Sequence, residues 1–159
     1  MFNRKSFLSR AIFSNAKIFD NTKLSFLDVG ARGDLPSPWL QLEARLPQRI
    51  NVVAFETDTE ELAQLKKKFP SRNYFPVGLG KRDGRTDFYL NNEKSSSSLY
   101  MPNESILEVF CDKHSSPRKV DRKLQVEILR LDSLDLSSLR AAFVKLDVQG
   151  AELDILIGG

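Results

Sequence analysis

The stretch Leu24–Gly33, reading Leu-Ser-Phe-Leu-Asp-Val-Gly-Ala-Arg-Gly, constrains the fold more than any other part of the chain. Leu24, Phe26, Leu27 and Val29 form an apolar run too short for a helix and bounded by turn residues, which predicts a buried strand. Asp28 stands near the end of that strand. Gly30 and Gly33 then let the backbone turn tightly and let a ligand come close to the main chain. In an open α/β sheet this carboxyl edge is where ligands bind. A glycine turn after a strand is also found in ordinary strand-to-helix connections, so the later segments decide its meaning.

Those segments repeat the pattern. Ser37 and Pro38 read as an N-cap and first helical residue, followed by Trp39, Leu42 and Leu46 at helical spacing, with Pro47 closing the helix. Trp39 at this spacing is read as core in preference to a ligand platform. In Ile50–Glu56 the residues Val52, Val53, Ala54 and Phe55 are continuously apolar up to Glu56, as expected of a strand covered on both faces. Asp58 with Glu61 suggests a capping box for a helix from about Thr59 to Phe69, and the lysines 66–68 at its end suit the helix dipole. Asn73–Leu79 is predicted as the third strand, Lys81–Gly84 as a hairpin turn, and Thr86–Leu90 as the strand after it.

Residues 91–123 hold the serine run Ser95–Ser98, a short helix at Glu104–Phe110 and a basic patch from Lys113 to Lys123, and read as a long surface excursion. The patch is solvated on the plain reading. On the other it faces a phosphorylated or acidic glycan. Leu124–Leu131 is a further strand, and Ala142–Val148 the clearest late one, with Phe143, Val144, Leu146 and Val148 around an internal Lys145. It runs into Asp147-Val148-Gln149-Gly150 and a helix beginning near Ala151. The alternation of strands and helices predicts a parallel sheet in an α/β domain spanning residues 24–159, preceded by an N-terminal covering helix over 1–23.

Three acidic residues, Asp28, Glu56 and Asp147, thus stand at three strand ends that share one edge. Glu56 follows the glycine turn at the separation expected of a ribose-binding acid in a nucleotide fold. Composition narrows the choice of ligand. A net charge of +3 with well-mixed signs is no nucleic-acid footprint. No apolar run could span a membrane. One cysteine, Cys111, and one histidine, His114, can build neither an internal disulfide nor a zinc cluster, so no metal site is expected and a reducing, cytoplasmic setting fits.

The segments Phe26–Gly33, Ala54-Phe55-Glu56-Thr57-Asp58, Leu131-Asp132-Ser133-Leu134 and, most specifically, Val144-Lys145-Leu146-Asp147-Val148-Gln149-Gly150-Ala151-Glu152-Leu153 resemble the FkbM family of S-adenosylmethionine-dependent methyltransferases. The resemblance implies a Rossmann-like class I methyltransferase sheet with flanking helices. It implies that Asp28, Gly30 and Ala31 line the methionine part of the cofactor, Glu56 binds the ribose, Thr57 lies near the adenine, and Leu79 and Gly80 flank its other side. It sets Asp147 beside the methyl group and the acceptor. Such enzymes are typically O-methyltransferases acting on small-molecule, sugar or glycan hydroxyls.

The chemistry agrees: the donor carries a sulfonium and an ammonium but no phosphate, so strand-end acids matter more than a full glycine cradle. Asp147 is the candidate general base, with Glu152 second and His114 third. Asp34 stands where many relatives have a further glycine, which implies a looser hold on the cofactor's carboxylate. The chain also stops just after the fourth-strand motif, which reads as a domain lacking its last strands. That would leave an edge bearing Phe143, Val144 and Leu146, open to self-association. Two other readings stay open: a dinucleotide-binding domain of an oxidoreductase or epimerase, and a non-catalytic cofactor-binding remnant.

Overall fold

The computed structural model describes residues 23–107, 109, 119–136 and 141–159. The expected N-terminal covering helix, Cys111 and His114 lie outside the described residues. Among the described residues the strands are β1 (Leu24–Val29), β2 (Ile50–Phe55), β3 (Asn73–Phe75), β4 (Gly78–Leu79), β5 (Gly84–Asn91), β6 (Val120–Leu129) and β7 (Ala141–Leu146). The helices are α1 (Trp39–Arg45), α2 (Thr59–Lys68), α3 (Glu104–Leu107) and α4 (Glu152–Ile157).

The central sheet is parallel throughout, in the order β3-β2-β1-β7. Its two middle strands are apolar at successive positions because both faces are covered. Leu27, Val29, Val53 and Phe55 point to one face, where Ile155 of α4 seals the core. Phe26 and Val52 point to the other, against Leu35 and Trp39 of the α1 side, and Ala54 meets Leu65 of α2. The register pairs Leu27 with Val53 and Val29 with Phe55, so the large side chains align across the strands. This is the Rossmann-like α/β arrangement expected from the alternating pattern.

Trp39 is half-buried and packs against the core, with its ring 5.2 Å from Phe26 and 4.0 Å from Phe143. Helix α1 begins one residue later than expected, with Pro38 as its N-cap. Asp58 does cap α2, accepting from the amides of Glu60 and Glu61, but Glu61 does not close a capping box. Its carboxylate turns outward to the Gly33 amide and the Arg32 guanidinium, 3.2 Å from each.

The expected third strand is broken at Pro76, which has no N–H to give to a ladder. β3 ends at Phe75 in the central sheet, and β4 belongs to a second, three-stranded sheet ordered β4-β6-β5. The expected hairpin across residues 81–84 is therefore corrected: β4 does not pair with β5, because β6 lies between them, parallel to β4 and antiparallel to β5. Phe88, Leu90, Val126 and Ile128 give this sheet its own small core. Among the described residues β7 is an edge of the central sheet, with Phe143 and Val144 half exposed, while Leu146 packs against the main core.

Candidate functional site

The carboxyl ends of β1, β2 and β7 open on one cavity of about 320 Å³. Gly30, Glu56, Thr57, Leu79 and Asp147 line it, so five of the nine residues singled out from the sequence share one cleft. The other four do not face it. Asp28 is buried behind its wall, Ala31 packs between Ala54 and Leu65, Gly80 lines a separate surface depression, and Glu152 braces a loop.

Gly30 is where the turn needs a glycine. It has φ +73, and a Cβ there would lie 2.2 Å from the Asp147 carbonyl oxygen. The close approach lets the β1 turn sit against the end of β7, where the Asp147 amide donates to the Val29 carbonyl at 3.1 Å. The glycine thus serves the joint between two strand ends as much as the ligand edge.

Asp28 is only 3% exposed, and Lys145 satisfies it. The Lys145 Nζ stands 2.9 Å from Asp28 Oδ1, 3.2 Å from the Gly30 carbonyl and 3.8 Å from Asp147 Oδ2. Lys145 itself lines the cavity. The three side chains form a cluster with one net formal negative charge, in place of the two separate carboxylates expected from sequence. Lys145 was legible as an anomaly: a lysine inside an apolar parallel strand needs a buried partner.

Glu56 continues β2 and is 6% exposed. Its Oε1 accepts the Asp58 amide at 2.7 Å, and among the described residues its second oxygen receives no hydrogen bond. Burial pushes its carboxyl up to about 7, against the opposing pull of the Asp58 amide and the Arg32 charge. Arg32 bridges Asp58 and Glu61 at 3.1 and 3.2 Å. Asp58 is itself held below the usual carboxylate range: burial acts to raise it, but the Arg32 hydrogen bond and the α2 amides outweigh that.

Glu152 is bound to its own loop. It accepts from the Val148 and Gly150 amides at 3.0 and 2.9 Å, and these amides pull its carboxyl down although burial acts the other way. That geometry suits a brace better than a base. The opposite wall of the cavity comes from residues 77–99. Val77, Gly78, Leu79, Phe88 and Leu99 give this part of the lining an apolar character, and Lys94 and Ser97 add polar groups to it. At Gly78 a Cβ would lie 2.5 Å from Ile128 Cδ1 and 3.2 Å from Thr57 Cγ2, so any side chain there would have to displace the end of Ile128. No local pattern signals Phe88, Leu99 or Lys94, since their place depends on how the second sheet folds back.

Among the described residues no group of three or more His, Cys, Asp or Glu side chains is placed to hold a metal ion, and no helix is long and apolar enough to cross a membrane. A parallel sheet whose strand ends bring a buried acid, a glycine turn and a second acid to one cavity has the ligand-binding edge of a Rossmann-like α/β domain. The family model for the methyltransferase FkbM domain matches residues 28–159, and the chain belongs to that family. No curated protein and no solved structure matches the chain.

Proposed function

We propose that this methyltransferase domain binds S-adenosylmethionine in the 320 Å³ cavity and transfers its methyl group to a hydroxyl of a small molecule, sugar or glycan. The observation that carries the reading is Glu56: a buried strand-end carboxylate that lines the cavity, with one oxygen held by the Asp58 amide and no hydrogen bond to the other among the described residues. Such an acid suits a ribose diol, which offers two hydroxyl donors. The rest of the lining fits the same donor. The apolar lining from Leu79, Phe88 and Leu99 suits a purine, and the net negative cluster of Asp28, Lys145 and Asp147 suits a cation.

When bound, the donor supplies an electrophilic methyl group on a positively charged sulfur. The chain's part is to position and to handle the proton. Gly30 and Asp147 border the reacting end of the cavity, and a hydroxyl held there needs little more than alignment. Asp147, whose side chain is 55% exposed, is the base we assign to the departing proton, because it stands at the cavity and Glu152 is occupied by backbone amides.

Calorimetric titration with S-adenosylhomocysteine and, separately, with NAD tests the donor. Binding of the former alone is expected. Binding of NAD alone would replace the reading with a dinucleotide-binding one. Labelled methyl donor with a panel of sugars and glycans then tests the acceptor class, and label that is stable to base and carried on oxygen is the expected product.

A further inference from the structure

Gln149 is, among the described residues other than glycine, the one with a left-handed backbone, at φ +59. Such a conformation costs a β-carbon-bearing residue about 1 kcal/mol and persists where surrounding contacts hold it. Here the contacts run in a chain. The Gln149 side-chain amide donates to Asp147 Oδ1 at 2.8 Å. The Gln149 carbonyl accepts the Ser98 hydroxyl at 2.9 Å, across 51 residues of sequence. Ser98 is 6% exposed and also receives the Tyr100 amide at 3.0 Å. The Tyr100 ring lies against Gly150, 3.4 Å from where its Cβ would be, and its hydroxyl reaches Asp154 of α4. Glu152 holds the amides on either side of Gln149. The serine run thus has a use that its composition did not suggest: its last member ties the second sheet to the loop that carries Asp147.

We propose that Gln149 is a positioning residue that fixes the Asp147 carboxylate toward the sulfonium of the bound donor, and that Ser98 acts through it. This rests on S-adenosylmethionine being the donor. The Asp147 carboxylate is pulled two ways: Oδ2 toward the Lys145 ammonium at 3.8 Å, and Oδ1 toward the Gln149 amide. With the amide removed, the carboxylate can turn onto Lys145, and its charge is then spent on the protein's own cation. A fixed carboxylate beside the sulfur favours S-adenosylmethionine, which is charged there, over S-adenosylhomocysteine, which is not. An untethered one discriminates less.

The test is the ratio of the two dissociation constants, S-adenosylhomocysteine over S-adenosylmethionine, measured by calorimetry on the full chain. Gln149→Gly is expected to lower that ratio about threefold to tenfold, the scale of one partly exposed charge contact. It should leave the melting temperature unchanged or raise it, since glycine relieves the left-handed backbone. Ser98→Ala should lower the ratio in the same direction, and Ser98→Thr, which keeps the hydroxyl, should restore it. A purely structural role would weaken both ligands together and leave the ratio where it was, and that result overturns the inference alone. If neither ligand binds the unaltered protein, the donor reading falls, and the inference falls with it.

Discussion

Lys145 Nζ lies 2.9 Å from Asp28 Oδ1, and that contact locks the end of the edge strand β7 to the central strand β1. Removing the cation while leaving the anion strands a carboxylate that is 3% exposed. Lys145→Met is therefore expected to destabilise the fold by about 3 kcal/mol, the range for breaking a buried pair from one side. Adding Asp28→Asn to that variant should recover much of the loss, because no uncompensated charge then remains. Urea denaturation at equal m-value measures both, and a single variant as stable as the parent would mean that the pair does not hold β7 to β1.

Glu56 makes stability depend on pH in an unusual direction. Its folded carboxyl titrates at about 7 against an ordinary value of 4.5. Between those values the folded state holds a proton that the unfolded state has released, so stability falls as pH rises from 4.5 to 7 and is level above it. The stabilisation is fully present below the unfolded value, and its loss amounts to about 3 kcal/mol. Glu56→Gln keeps an oxygen for the Asp58 amide and cannot ionise. Its stability relative to the parent should improve by nearly that amount between about pH 5 and pH 8, read from denaturation midpoints. Parallel curves for the two proteins would mean that Glu56 is ionised throughout.

Gly30 and Gly33 both have left-handed φ, at +73 and +68, yet they should respond differently to alanine. At Gly33 a Cβ meets nothing within 4 Å, so Gly33→Ala should cost only the backbone term, about 1 kcal/mol. At Gly30 the same atom would be 2.2 Å from the Asp147 carbonyl, so the two strand ends must part. A cost of at least about 3 kcal/mol is expected, from backbone strain and disrupted packing together. Equal losses at the two positions would contradict the close approach of the β1 turn to β7.

What the sequence disclosed depended on whether a residue's role is local. β1 and β2 are legible because strands covered on both faces carry mostly apolar residues, as Phe26-Leu27 and Val52-Val53-Ala54-Phe55 show. Asp58 was legible as a cap because its partners are two and three residues away. The pairing of β6 with both β4 and β5 is not, since it joins residues from 29 to 50 positions apart and no short-range pattern encodes it. For the same reason the cavity wall formed by Phe88 and Leu99 was missed, and the glycine of Asp83-Gly84 suggested a hairpin that is absent. Asp28 shows the subtler failure. It stands in the strand the pattern indicates, yet its charge is paired with Lys145, visible as the lone cation of an apolar strand. The capping box failed likewise, because Arg32 competes for Glu61 from 29 residues away.

The same elevated titration gives donor binding its own pH dependence. A ribose diol donates hydrogen bonds, so it favours ionised Glu56 over the protonated acid. In the ligand-free protein the ionised fraction falls about tenfold per pH unit below 7 and is nearly complete above it. S-adenosylhomocysteine is thus expected to bind about tenfold more weakly at pH 6 than at pH 8. Glu56→Gln should bind weakly at both and lose the dependence. Glu56→Ala at about pH 8 should weaken binding by about one to two orders of magnitude, from the loss of two charge-assisted hydrogen bonds. Titrations of the three proteins across this range separate the effects. A parent protein with flat affinity, or a Glu56→Ala variant with an unchanged dissociation constant, would show that the acid does not hold the ligand.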